Sequence, residues 1–443
     1  MAAVLAAFCA LSALLFGREV LGDPSHVCAC IGGAGDPPSY MWDLAWWPHA
    51  LTHATNPFFT HLVWSPVGGN VAAAAMIPLP SMLAWPLTAL FGVLPAYNAV
   101  AILSPAVAAT TMYALCHHIT ARPLPSLAGG WIFGFSSYEL SQRVGHVNLM
   151  LIALLPLGVL AVLARLERRL GRRAFVASMA LLIAAQLLTS SELLATGLAF
   201  GALSLSLAWL ASPPAKRAEL VAAALEIAAA GILAALVTSP YLYWAAIRSR
   251  PEPVPGAANT LVVDLANLVV PTPVTLLRYA SGTAASLPGN VAEQGGYLGI
   301  PLIVAFALAL WNRRRTPAAI ILATTAGVAL LLAFGSHLKV AGHSTIPLPW
   351  ALISHLPIAK AAVPDRIVLY VWFAIAIAIA LWLSTPARQS VALIRWAVVL
   401  VGIVLILPDG SSPLFNSRPT RPALFATSAY EQALPKDSNV LIL

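Results

Sequence analysis

Apolar runs separated by short polar joints recur along the chain, near residues 2–17, 97–117, 124–137, 148–164, 174–190, 193–211, 219–238, 297–311, 318–334, 367–383 and 391–407. Runs of this length suit helices that cross a hydrocarbon core about 30 Å thick. The pattern predicts an all-α polytopic membrane protein, a bundle of about eleven transmembrane helices.

The joints assign sides, because short basic loops stay in the cytoplasm. Arg122 lies in one such joint, five arginines from Arg165 to Arg173 in the next, then Lys216 with Arg217, Arg313 to Arg315, and Arg388 with Arg395. The N-terminus is then inside, the C-terminal tail outside, and the external side slightly acidic. The first span has no Lys or Arg before it and carries Arg18 at its outer end. A cleaved signal peptide is the rival reading there, weakened by the missing basic n-region and the absence of a clear A-x-A site. External surface concentrates in the loops 18–96, 239–296 and 335–366 and in the tail from Pro408. The stretch from Asn70 to Phe91 is apolar but holds Pro78, Pro80 and Pro86, so it predicts helices lying at the outer interface, with Trp85 as an anchor, rather than a span.

Composition agrees with the pattern. Hydrophobic residues make up 60% and charged residues 9% of 443, which excludes an ordinary water-soluble enzyme, a disordered chain and a disulfide scaffold. The net charge of +8 is distributed over inner loops, so it describes topology rather than nucleic-acid binding. The chain divides into a transmembrane domain, 1–407, and an extracytoplasmic tail, 408–443, whose last residues read like the first strand of a further domain.

Candidate chemistry gathers in the first external loop. Asp36 follows Gly32, Gly33 and Gly35 and precedes Pro37 and Pro38, the signature of an N-cap before a helix. Asp43 comes two turns later on the same face, which would present two carboxylates at the membrane surface. His49 and His53, four apart on that helix, offer a divalent metal an acceptable pair. Cys28 and Cys30 are two apart, where a mutual bridge is strained, so they read as unremarkable thiols with Cys9 and Cys116. Glu192, in Ser190-Ser191-Glu192, reads as a helix-start cap. The His117-His118 pair and the Arg165 to Arg173 cluster read as topology and anionic-lipid contacts. No Walker A, GxGxxG, HExxH or GxSxG context occurs, and no internal repeat.

Short motifs at the outer ends of the spans resemble the GT-C superfamily of membrane glycosyltransferases, including uncharacterised bacterial members. They are Asp36 with Tyr40, Phe91-Gly92 with Ala96-Tyr97-Asn98, Gly145-His146-Val147-Asn148, Glu293 with Tyr297-Leu298-Gly299, and Pro364-Asp365-Arg366. The position after Asp36, acidic in many such enzymes, is Pro37 here, and the loop has no Asp-x-Asp.

The resemblance implies a GT-C-like bundle that transfers a hexosyl or pentosyl group from a polyprenyl-phosphate-linked donor to an extracytoplasmic glycan, lipid or protein acceptor of the cell envelope. It implies a multi-pass protein of a bacterial inner or plasma membrane with its active side outside, partnered by membrane lipids and not by nucleic acid. Such a transfer needs a carboxylate as general base and donors for the departing phosphate. Asp36 is the first candidate base and Asp43 the second. Tyr40, His146 and Asn148 would line the cavity, Glu293 with Gln294 would contact sugar hydroxyls, and Lys360 with Arg366 would grip phosphate. The resemblance fixes no cofactor and leaves room for a divalent metal, for which His49 and His53 are the candidate ligands. The competing functions are a transporter or lipid flippase, and a GT-C-fold assembly factor without catalysis. Arg366 has its own rival role, an ion pair with Asp365.

Overall fold

Helices occupy the apolar runs. The computed structural model describes residues 1–31, 35–248, 257–277, 286–353 and 362–418. Helix α1 (Ala2–Phe16) and the short α2 (Arg18–Gly22) precede the first loop, which carries α3 (Pro37–Thr52) and α4 (Pro78–Phe91). The bundle continues with α5 (Val93–Thr120), α6 (Pro123–Gly134), α7 (Ser137–Arg143), α8 (Val147–Met150), α9 (Leu154–Leu166), α10 (Arg172–Leu187), α11 (Ser191–Leu210) and α12 (Pro214–Val237). Short α13 (Ser239–Leu242) and α14 (Ala257–Thr260) lead to α15 (Ile300–Asn312), α16 (Pro317–Ala333), α17 (Trp350–Ile353), α18 (Leu369–Ser384) and α19 (Gln389–Leu405). Among the described residues five helical stretches are long and apolar enough to cross a membrane: Val93–Thr120, Val147–Leu166, Ser191–Leu210, Pro214–Val237 and Pro364–Ser384. Ala2–Phe16, Ile300–Asn312, Pro317–Ala333 and Gln389–Leu405 are apolar but shorter.

The centre is made by α5, α6 and α18. Helix α18 is buried along almost its whole length, as an apolar helix must be when protein surrounds it on every side. The α5–α6 contact depends on small residues: a Cβ on Gly134 would fall 2.4 Å from the Pro105 carbonyl, and one on Gly130 2.6 Å from that of Ala109. With glycine at both positions, four apart, the backbones can touch. By contrast, α11 and α12 keep mostly half-buried or exposed apolar side chains, as lipid-facing helices do.

The prolines of the first loop do not break α4. Pro78 starts that helix, Pro86 lies inside it, and Gly92 at φ +89° ends it and turns the chain directly into α5. Between α3 and α4 runs a small antiparallel hairpin, β1 (Phe59–Thr60) with β2 (Gly69–Asn70), in which Phe59 pairs with Asn70. A second hairpin joins β3 (His337–Val340) to β4 (His343–Pro347). Its turn is clamped by Asp264, whose carboxylate accepts from the N–H groups of Ala341 and Gly342 at 2.9 and 2.8 Å.

Cys28 and Cys30 form a disulfide, against the expectation of free thiols. Asn98 of α5 explains the local fold: its Oδ1 accepts from the N–H of Ala29 at 2.7 Å and its Nδ2 donates to the carbonyls of Val27 and Pro24. The chain is thereby bent around one side chain, with both cysteines buried. Cys28 also bridges to Ser417 of the tail. The residues of the tail after Arg418, including the expected strand, lie outside the described residues.

Candidate functional site

Six of the expected residues gather at one end of the bundle, each at or near the start of a helix. Asp36 and Tyr40 belong to α3, His146 and Asn148 to the start of α8, and Arg366 to the turn that opens α18. Glu293 joins them from the 3-10 turn Val291–Glu293 ahead of α15. Helix N-termini carry partial positive charge, so this end of the bundle suits carboxylates and anionic ligands.

Asp36 sits at the N-cap of α3, but its side chain makes no capping bond. It is half exposed, and its Oδ2 lies 3.5 Å from His146 Nε2. The other ring nitrogen, Nδ1, is 2.7 Å from Gln142 Oε1. Gln142 Nε2 donates to the carbonyl of Ala292 at 2.9 Å, which fixes that amide with its oxygen toward the imidazole. His146 therefore carries its proton on Nδ1 and turns the Nε2 lone pair toward Asp36. Burial holds the imidazole below its usual range, against the opposing pull of Glu293 and Asp36. The neutral ring can accept a proton that reaches Asp36.

One helical turn farther along α3, the Tyr40 hydroxyl donates to Asn148 Oδ1 at 2.5 Å. Both side chains are buried. The Tyr40–Asn148 and Asp36–His146 contacts form two rungs that hold α3 against α8, so Tyr40 and Asn148 engage each other.

Arg366 is the centre of an ion cluster. Its Nη2 donates to Glu293 Oε1 at 2.6 Å with Nε beside the same carboxylate, and its Nη1 donates to Glu192 Oε2 at 2.6 Å. Glu293 is only 2% exposed. Glu293 Oε1 is also 3.8 Å from His146 Nδ1, which ties the cluster to the Asp36 rung. Asp365 is fully buried and forms no salt bridge among the described residues, and Arg366 pairs with two glutamates rather than taking its rival role as partner of Asp365. The cap of α11 is likewise not Glu192 but Ser190, whose hydroxyl accepts from the N–H of Leu193. Glu192 and Gln142 are the site residues missed by sequence reasoning. The signals were there: an acidic residue at the border of an apolar helix, and a Gln one turn before His146.

Other expected residues lie apart from the cluster. Asp43 is 4% exposed and accepts at Oδ2 from the N–H of Ile77, at the start of α4, so it is not presented to solvent beside Asp36. The α4 segment folds back over that side of α3 and covers it. Burial raises the Asp43 carboxyl to about 7, the Ile77 bond opposing the shift. Gln294 donates to the Pro288 carbonyl, not to the cluster. His49 and His53 stack ring on ring at 4.1 Å. Among the described residues no group of three or more His, Cys, Asp or Glu is placed to hold a metal ion. Lys360 lies outside the described residues.

The opposite end is basic. The last turn of the helical stretch that begins beside His146 carries Arg165, which makes a bidentate pair with Glu226 at 2.7 and 2.8 Å. Glu226, the acidic residue inside the α12 run, is thus neutralised.

Residues 4–407 match the family model described as Domain of unknown function (DUF6311). The chain belongs to this family. Its structure is similar to the cryo-EM structure of the arabinofuranosyltransferase AftD from mycobacteria, with a TM-score of 0.59 and 14% identity. The similarity covers 97% of this chain and 28% of the mycobacterial protein, so the DUF6311 chain spans little more than a quarter of its length. That likeness shows a GT-C-like fold and, with the apolar helices, an integral membrane protein. No curated protein matches the sequence.

Proposed function

We propose that this DUF6311 protein is a membrane glycosyltransferase that moves a sugar from a polyprenyl-phosphate-linked donor to an acceptor outside the cytoplasm, with Asp36 as general base. The observation that carries the reading is the Asp36 carboxylate, half open to solvent and 3.5 Å from His146 Nε2. A carboxylate in that position can take the proton of an acceptor hydroxyl as it attacks the anomeric carbon of the donor. The proton passes to Nε2 of His146, and the sugar–phosphate bond breaks with its electron pair on the phosphate oxygen. Similarity to an arabinofuranosyltransferase supports sugar transfer as the reaction class.

In this reading Arg366 has two tasks. It fixes Glu293 and Glu192 in place and directs its remaining N–H groups to the phosphate, with the assembled helix N-termini adding their partial charge. Asp43 fastens α3 to α4. No step requires a metal. About eleven helices cross the membrane, the N-terminus is cytoplasmic, and the site opens outside. The separation of the Asp36 end from the Arg165 end supports that orientation. A transporter is disfavoured because Glu226, the acidic residue within the α12 run, is paired with Arg165. The test is to delete the gene and analyse lipid-linked sugars and surface glycans by mass spectrometry. Accumulation of a donor with loss of one glycan linkage is expected, and unchanged profiles would refute the reading.

A further inference from the structure

From Leu44 to Ala121 the chain contains no Asp, Glu, Lys or Arg, although this stretch includes the hairpin and α4 outside the span-length helices. A water-facing hairpin without charge is unusual, and this one also exposes three large apolar side chains. Leu62 is 70%, Trp64 80% and Val67 79% exposed. Three such residues on one short hairpin have no reason to face water.

The hairpin is fixed close to the membrane boundary. Asn70 Nδ2 donates to the carbonyl of Trp244 at 2.9 Å, and the rings of Phe58 and Phe59 lie 6.5 and 6.1 Å from that indole. Trp244 belongs to the π-helical turn Tyr243–Ile247, a few residues beyond the span-length helix α12. In the same turn Tyr243 is 45% and Ile247 72% exposed, and the Arg248 guanidinium lies 5.7 Å from the Trp244 ring. Arginine over tryptophan at a helix end is the mark of a bilayer interface. Three more such pairs, Arg217 with Trp209, Arg314 with Trp311 and Arg395 with Trp382, lie at the far ends of α11, α15 and α18. Those pairs lie at the helix ends away from the Asp36 cluster, and Trp244 with Arg248 lies beyond the end of α12 that runs toward the cluster.

We propose that the hairpin from Phe59 to Asn70 is an interfacial anchor that inserts Leu62, Trp64 and Val67 into the headgroup–acyl boundary of the leaflet on the Asp36 side. The occupant is lipid rather than a protein partner because a protein-binding rim is polar, whereas the hairpin is uncharged and continuous with the Trp244 interface. Indole suits this depth, with its ring among acyl chains and its N–H among headgroups. The inference does not depend on sugar transfer.

The test uses the full chain with Cys9 and Cys116 replaced by alanine and the Cys28–Cys30 bridge kept. Leu62→Cys, Trp64→Cys and Val67→Cys variants are each labelled with a nitroxide and reconstituted in vesicles of phosphatidylcholine and phosphatidylglycerol. Collision with oxygen, which concentrates in the bilayer, is compared with collision with a water-soluble nickel chelate. His343→Cys on an exposed strand is the aqueous reference, and Leu233→Cys on α12 the lipid reference. The oxygen-to-nickel ratio at all three hairpin positions should exceed that at 343 by at least about threefold and approach that at 233. Ratios equal to that at 343 would overturn the proposal. So would protection from both reagents, the mark of a protein contact.

Discussion

The Asp36 carboxylate faces His146 Nε2 at 3.5 Å, across from a nitrogen whose lone pair is left free because Nδ1 is engaged by Gln142. The consequence for pH is specific. The imidazole is neutral above its depressed pKa, so Asp36 works beside a proton acceptor. As pH falls through that value, below the ordinary pKa of about 6.5, the ring protonates, pairs with Asp36 and removes the acceptor. Transfer should therefore decline on the acid side, and His146→Gln, which cannot titrate, should lower the maximal rate and change the shape of that limb. An identical acid limb in the variant would separate His146 from the proton path.

Gln142 and His146 provide a check on the tautomer. Gln142→Glu would place a charge beside Nδ1 and raise the imidazole pKa, because an adjacent carboxylate favours the protonated ring. The acid limb, measured at matched membrane abundance, should move toward higher pH. Movement to lower pH would contradict the assignment.

Asp43 predicts an effect on stability instead of rate. An unfolded aspartate titrates near 3.9, whereas burial holds the folded carboxyl near 7. The folded protein thus keeps a proton that the unfolded chain releases. Stability is full below the unfolded pKa, decreases as pH rises to about 7, and stays lowered above it. Asp43→Asn keeps an acceptor for the Ile77 N–H and removes the penalty, on the order of 2–4 kcal/mol. The variant should melt several degrees higher than wild type at pH 8 and no higher at pH 4. An equal gain at both pH values would refute the burial argument.

Arg366 bridges two carboxylates that face different edges of its guanidinium, and lysine has no second edge. Arg366→Lys should consequently lose nearly as much activity as Arg366→Ala. Leaving Glu293 buried beside no cation costs about 3–5 kcal/mol, so Arg366→Ala should also be less abundant. Glu293→Gln combined with Arg366→Met should recover abundance without recovering transfer. Full activity of Arg366→Lys would show that charge alone suffices.

How much of this was visible in one dimension depends on the range of the interaction. Each apolar run marks a helix because hydrophobic patterning is local, and the same holds for Asp36 ahead of Pro37. The partners of Arg366 were not legible: Glu192 and Glu293 lie far apart in sequence and meet only when the starts of α11, α15 and α18 converge. Asp43 looked exposed because it shares a helix face with Asp36, and its burial comes from α4, which the sequence shows only as a proline-rich apolar stretch. The Cys28–Cys30 bridge depends on Asn98 bending the backbone, a contact across two elements.

The central claim is that Asp36 is the base, and Asp36→Asn tests it most directly. Asparagine keeps the size of the side chain at an N-cap position where no side-chain bond is lost but cannot take a proton. In a deletion strain complemented at matched membrane abundance, lipid-linked sugars and surface glycans are compared by mass spectrometry. The account predicts that Asp36→Asn resembles the deletion, with transfer lowered at least ~10²-fold. Restoration of the wild-type glycan profile by the Asn variant would contradict it.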